Sequence, residues 1–405
     1  MALSDEAVVT PSRNPFSVSG TAMPENVLLM AKLISVALFL TNQVSLLPTP
    51  YLSFIPRLDH LMSGKTFQEI LQEVFLASMA ALLFNYAVRA SSLLLGSSIL
   101  LGVISSRAYY SNNMTLCALL LILAGLSTRD MPPYMLRVQI AVVYFGAGLN
   151  KALDPDWHSG QFFDHWAIDG LHQPLYIWLH ALLPPMMLGK LVSWFTIVAE
   201  LATAIMLLIP RLRLAGVFAS VVILQCGFLL FTGNTFGMFF FAMQAAALCF
   251  LPWPAKPMEV IFDGTCGFCD WCREKIARVD FDKLFNWVPY QSGRGRAFGI
   301  TDEAAERRLQ LVTPEGRVLE GFQAFRRMLA YTSAFWMTIF ALLAVARGHF
   351  APTWRRAIVL GVLLFFSPLA NWIGQVAYDL VAQNRHRLFP GRACKLPEKH
   401  FNPET

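Results

Sequence analysis

Three cysteines stand close together in one polar stretch, Cys266, Cys269 and Cys272, within D-G-T-C-G-F-C-D-W-C (263–272). Cys266 and Cys269 form a C-x-x-C. If a helix starts at Cys266, the unpaired amides and positive dipole end of its first turn stabilise a thiolate there. A thiolate attacks a disulfide, and a second thiol three positions on can resolve the mixed disulfide. Cys266 and Cys269 are therefore the leading candidates for dithiol chemistry, which by itself requires no cofactor. Two other readings stay open. The three thiolates, with Cys394 as a fourth, could hold zinc, although structural zinc sites usually show two separated pairs; or the thiols are buried and inert. Cys272, one helical turn past Cys269, is either a packing thiol or a third redox partner. Cys117, Cys226 and Cys249 lie inside apolar runs and read as packing residues.

A second group surrounds Lys151, in Y-F-G-A-G-L-N-K-A-L-D-P-D-W-H-S-G (144–160). Gly146 and Gly148 allow a close helix neighbour. Lys151 ends an apolar run, and its plain role is a snorkelling lysine with Trp157 as an interface anchor. Glu200 lies inside the apolar run W-F-T-I-V-A-E-L-A. Ionisable groups at that depth face a bundle interior, so Lys151, Lys190 and Arg137 are its candidate partners, unless it lines a pocket. His158, His165, His172 and His180 are spread without metal-ligand spacing and read as loop polar residues. No phosphate loop, dinucleotide fingerprint, H-E-x-x-H or G-x-S-x-G occurs.

These residues must be positioned by a largely apolar chain. Of 405 residues, 56% are hydrophobic and 14% charged, against about 25% charged in soluble domains; lipid must solvate part of the surface. Runs long enough to span are expected at 27–47, 68–88, 91–109, 114–128, 133–151, 185–209, 213–232 and 235–252, giving a polytopic bundle of eight helices. The first 25 residues read as a flexible tail, 50–66 as an interfacial segment and 152–184 as a long loop. Arg89, Arg129, Arg211, Arg213 and Lys256 fall at alternate helix ends, whereas 152–189 has four Asp and no Lys or Arg. The positive-inside rule puts the basic ends in the cytoplasm and the loop outside; Arg107 fits this scheme poorly. The net charge of +6 is thereby topological, and nucleic acid is not an expected partner; membrane lipid is.

At 253 the composition turns polar. P-M-E-V-I-F-D-G (257–264) reads as a buried strand, 265–279 as a helix, F-N-W-V-P-Y (285–290) as a second strand, 309–321 as a hairpin about P-E-G, and 322–330 as a helix. That order suits a small α/β domain. Two apolar runs follow, 334–346 and 357–375; the first is short for a span, and the second could span or pack on the membrane.

The run I-F-D-G-T-C-G-F-C-D-W-C resembles the signature of the DCC thiol-disulfide oxidoreductase-like family, whose D-x-x-C-x-x-C is matched by Asp263, Cys266 and Cys269. V-T-P-E-G-R-V, G-F-Q-A-F and Y-D-L-V-A-Q-N-R-H-R-L (378–388) are similar too. The resemblance implies a thioredoxin-like fold over 257–394, with a hydrophobic segment inserted at 334–375, a tail at 395–405, and catalytic roles for Cys266, Cys269 and Asp263. The 144–160 stretch resembles the core motif of the horizontally transferred transmembrane (HTTM) domain, shared with vitamin K-dependent gamma-glutamyl carboxylase. That resemblance implies an HTTM-like domain over 26–252, a catalytic base at Lys151 and a quinone as cofactor, with Asp156 and Trp157 of its motif as accessory candidates; Glu200, from its own place in an apolar run, is a further accessory candidate. One extra residue separates Lys151 from the D-x-D-W, and the carboxylase's large lumenal region is missing. The expected function is a membrane-bound thiol-disulfide oxidoreductase acting on a protein or peptide thiol or disulfide, in a bacterial inner membrane with its redox domain cytoplasmic. Carboxylase-like chemistry on a quinone or peptide, or a non-enzymatic part in peptide maturation, are the alternatives.

Overall fold

The computed structural model describes residues 12–46, 63–105, 111–232, 237–254, 256–349 and 351–388. The chain divides into two compact units, 1–252 with 339–360, and 253–338 with 361–405. Cys394, the 395–405 tail and nearly all of the expected interfacial segment lie outside the described residues.

The first unit is helical: α1 (Glu25–Leu40), α2 (Gly64–Leu83), α3 (Val88–Ser105), α4 (Asn112–Leu126), α5 (Tyr134–Leu153), α6 (Pro155–Ser159), α7 (Gln161–His165), α8 (Pro174–Ala181), α9 (Met187–Leu208), α10 (Arg213–Phe218), α11 (Gly227–Thr232) and α12 (Met238–Ala246). A π-helical stretch, Ala219–Cys226, joins α10 to α11. Each expected apolar run contains helix. Among the described residues three helices are long and apolar enough to cross a membrane: α3, α9 and the continuous Arg213–Thr232. Two bent helix pairs in the later chain bring the number to as many as five.

Local chemistry sets the helix ends. Ser63 caps α2, its hydroxyl accepting from the Thr66 amide at 3.2 Å. The Pro132–Pro133 pair immediately precedes α5, because proline cannot donate within a helix but is tolerated at its start. Gly96 and Gly125 let α3 and α4 approach closely: a Cβ at either would stand 2.7 Å from a backbone oxygen of the other helix.

Two expectations for this unit are corrected. Residues 12–24 are packed and do not form a tail. Val18 and Met23 are fully buried, and Asn85 donates to the carbonyls of Ser12 (2.6 Å) and Ser17 (3.0 Å). The segment is drawn in by Lys32, which has zero exposure inside α1. Its ammonium donates to the Pro15, Ser17 and Leu83 carbonyls at 2.8, 2.7 and 2.9 Å. A lysine deep in an apolar helix must find acceptors, and the extended N-terminal segment supplies two of the three. The second correction concerns 152–184, which folds into α6, α7, a π-turn and α8 around a core of Phe163, Ala167, Tyr176 and Leu188.

The second unit holds a four-stranded mixed sheet of order β2-β1-β3-β4: β1 (Met258–Phe262), β2 (Phe285–Pro289), β3 (Gln310–Val312) and β4 (Val318–Glu320). β1 runs parallel to β2 and antiparallel to β3, and β3 pairs antiparallel with β4. β1 is buried on both faces. Met258 and Val260 join one core with Leu311, Ala324 and Met328; Ile261 joins the other with Val288, Ile300 and Val312. The later helices of the chain are α13 (Gly267–Ala277), α14 (Asp302–Arg307), α15 (Gly321–Ala330), α16 (Ser333–His349), α17 (Pro352–Phe366) and α18 (Pro368–Leu388), of which α16 and α17 fall mostly in the first unit. The stretch 334–375 thus becomes α16, α17 and the start of α18, and its residues 339–360 group with the first unit.

Removing the Lys32 ammonium takes a charged donor from the Pro15, Ser17 and Leu83 carbonyls, of which Ser17 keeps Asn85. We expect Lys32→Met to cost about 3 kcal/mol, read as a lower unfolding temperature in detergent; an unchanged temperature would show that this contact does not hold the N-terminal segment.

Candidate functional site

The cysteine cluster is set up by the turn that leaves β1. Asp263 is buried at the strand end. Its Oδ1 accepts from the Thr265 amide (3.0 Å), the Thr265 hydroxyl (2.7 Å) and Gln291 Nε2 (2.9 Å). Gln291 Oε1 in turn accepts from the Gly264 amide at 3.2 Å. One glutamine side chain therefore straps the β1 exit to the segment just after β2. Glycine is required at 264, since a Cβ there would stand 2.9 Å from Pro289 Cβ. Asp263 acts on the turn rather than on a thiol in these contacts: it fixes the path into Cys266, whose amide donates to the Asp263 carbonyl at 3.2 Å.

Cys266 is the N-cap of α13, in extended backbone (φ −92°, ψ 113°), and its carbonyl accepts from the Asp270 amide at 3.1 Å. Cys269 follows in the first turn and Cys272 in the next. Their accessibility is unequal: Cys266 is 1% exposed, whereas Cys269 and Cys272 are half-buried. Burial, followed by the negative charge of Cys266, pushes the Cys272 thiol up to about 11. Cys272 thus sits within electrostatic reach of Cys266. Phe268 and Trp271, on the same helix, stack at 6.1 Å. No three His, Cys, Asp or Glu side chains among the described residues are arranged to hold a metal ion.

The second candidate group assembles between α5 and α9. Gly148 is the contact point, where a Cβ would stand 2.9 Å from Leu201 Cγ; Gly146 faces open space. One turn on, Lys151 Nζ donates to both oxygens of Glu200, at 2.9 and 2.8 Å, and lies 5.2 Å from the Trp157 ring centroid. Of its possible partners, Glu200 takes Lys151. Asp156 is not part of this group. It stands exposed in the first turn of α6, its amide donating to the capping Asp154 Oδ1 at 2.9 Å. The D-P-D-W sequence is thus a helix start, with Asp154 as cap and Pro155 at the first position.

Sequence reasoning missed a third cluster. Asp164 is buried, its Oδ1 accepts a short hydrogen bond from the Tyr176 hydroxyl, and its Oδ2 lies 3.3 Å from His180 Nε2. Gly160 and Gly189 let the two backbones touch beside it. Gln291 was missed as well. Neither had a signal at fixed spacing: Asp164 and His180 are 16 apart in a segment without periodicity, and Gln291 is 28 residues from Asp263.

Two family models match this sequence: an HTTM domain at residues 123–253 and a DCC1-like thiol-disulfide oxidoreductase at residues 260–358. The chain carries an HTTM domain followed by a DCC1-like domain. The two matches support a membrane redox protein. No curated protein and no solved structure gave a significant match. The HTTM match takes in Lys151, Glu200 and the Asp164 cluster but not α1–α3. The DCC1-like match takes in the three clustered cysteines and the sheet from the middle of β1 onward but not α18. Both are narrower than the ranges expected from the resemblances.

Two outcomes follow from this geometry. In Cys269→Ser protein, alkylation of Cys272 should keep accelerating with pH toward about 11 instead of levelling near 9. Adding Cys266→Ser removes the neighbouring charge and should move the midpoint down; mass-spectrometric rates that level near 9 would contradict the burial. For the HTTM domain, Lys151→Met leaves the Glu200 carboxylate without its cation, and we expect a loss of about 3 kcal/mol. Lys151→Met with Glu200→Leu should regain about half of it, and additive losses in thermal unfolding would deny the pair.

Proposed function

We propose that the protein is a membrane-bound thiol-disulfide oxidoreductase whose DCC1-like domain has a thioredoxin-like fold and works through Cys266 and Cys269. One observation carries this reading: Cys266 caps a helix that follows the central buried strand of the sheet, and Cys269 lies in that helix's first turn. The β2-β1-β3-β4 order, with β1 and β2 parallel and a C-x-x-C after β1, agrees with a thioredoxin-like arrangement. The first-turn amides favour a thiolate at Cys266.

The reaction runs as two exchanges. The Cys266 thiolate attacks one sulfur of a peptide or protein disulfide, and the other sulfur leaves as a thiolate. Cys269, deprotonated, then attacks Cys266 Sγ, forms the intramolecular disulfide and releases the second substrate thiol. Two electrons pass from the dithiol to the substrate. Because Cys266 is closed, the turn over 263–266 has to open, or a thin extended segment has to enter beside the half-buried Cys269. Asp263 is a positioning residue for that turn. Cys272 stays protonated at neutral pH and lies outside the two-thiol cycle.

The membrane part is read as eight spans, α1 to α5, α9, α10–α11 and α12, with the DCC1-like domain on the cytoplasmic side. The basic helix ends at Arg89, Arg129, Arg211 and Arg213 support that side. A base at Lys151 that takes a proton from a hydroquinone does not fit the residues present. With both Glu200 oxygens on its Nζ, Lys151 is already engaged as a donor, and no step is routed through a quinone.

Reduction of a fluorogenic peptide disulfide by the reconstituted protein, with excess dithiol, tests the proposal. Cys266→Ser should lower the rate by about a hundredfold or more, and pre-reduced Cys269→Ser freed of the external dithiol should trap a mixed disulfide on Cys266. Full activity in Cys266→Ser would sink the assignment.

A further inference from the structure

α18 has two faces of opposite character. One is fastened to the second unit. Arg308 makes two hydrogen bonds to Asp379, at 2.8 and 2.6 Å. The Leu309 amide donates to the Tyr378 hydroxyl at 3.0 Å, and the Phe322 amide to Gln375 Oε1 at 3.1 Å. Gly374 lies against the Phe322 ring so closely that no side chain fits between them. Gln375, Tyr378 and Asp379 thus hold the helix against the edge of β3 and the start of α15.

The other face holds Leu369, Trp372, Ile373, Val376 and Leu380, at i, i+3, i+4, i+7 and i+11. They fall within an arc of about 100° at 3.6 residues per turn. All are exposed: Trp372 at 69%, Leu380 at 58% and Leu369 at 57%, with Ile373 and Val376 near half. The stripe extends about 16 Å along the helix. A soluble surface would not leave such a row bare.

Three features identify what covers it. α17 is apolar, and the chain turns through 73° at a short break before α18, so α18 leaves the direction of the apolar α17 and can lie along a surface rather than continue into it. Trp372 is in the stripe, and tryptophan concentrates at the headgroup level. Past the stripe the sequence turns basic, N-R-H-R at 384–387, then Arg392 and Lys395, matching an anionic lipid surface. We propose that α18 is an interfacial helix whose apolar stripe enters the headgroup boundary of an anionic leaflet while its polar face holds the DCC1-like domain at the membrane surface. This rests on membrane residence and on α18 itself, and is independent of the dithiol reading.

A photo-reactive benzoylphenylalanine placed at Ile373 or Leu380 in the full chain, reconstituted in nanodiscs, tests it. Position 303, on the exposed surface of α14, serves as the control. Mass spectrometry should find lipid adducts at 373 and 380 with a yield several-fold above position 303, and more in phosphatidylglycerol discs than in phosphatidylcholine discs. Adducts to this chain or to a second copy, yields equal to position 303, or yields unaffected by lipid charge would overturn the proposal.

Discussion

Lys32 has no exposed surface, and its charge is met by three carbonyls from two segments of the chain. The same constraint shapes the rest of the molecule. A chain with few charges and a large apolar surface has little water inside it, so each buried charge or polar group has to be answered by another part of the protein. Lys151 is answered by Glu200, Asp164 by Tyr176, and Asp263 by Thr265 and Gln291. Each answer joins segments far apart in sequence or fixes a turn. The polar contacts therefore specify how apolar helices, which could otherwise slide, are arranged.

At the cysteine cluster this constraint has a chemical consequence. The Asp263–Gln291 strap fixes the β1 exit, Gly264 permits its close approach to Pro289, and Cys266 is left as the cap of α13. A thiol replaces the Ser, Thr, Asp or Asn usual at that position. The environment differentiates three cysteines that look equivalent in the sequence. Cys266 is closed and held at the dipole end, Cys269 is reachable, and burial beside Cys266 keeps Cys272 protonated.

The HTTM domain shows how a motif changes meaning once it is folded. In the sequence the D-x-D-W residues stand beside Lys151 as a candidate group. Folded, Asp154 caps a helix, Asp156 stands exposed in its first turn, and Trp157 lies beside the lysine. The real partner of Lys151, Glu200, comes from a helix 49 residues later. In the second unit, the Y-D of Y-D-L-V-A-Q-N is a fastening: Tyr378 and Asp379 tie α18 to residues 308 and 309.

The sequence alone determined the elements. Apolar runs located the helices, since period and length are local properties. The strand-to-helix order about C-x-x-C located the α/β domain and its cysteines, because strand, turn and cap signals lie within a dozen residues. It misjudged the N-terminal segment and 152–184, where neither periodicity nor apolar length announces packing and order comes from partners elsewhere. Only the tertiary structure decided which charges pair, which thiol is accessible, that Gln291 supports Asp263, and that one face of α18 is taken while the other is bare. Those are properties of residues brought together from 16 to 71 positions apart, as with Asp164 and His180 or Arg308 and Asp379, and no local pattern encodes contacts at that range.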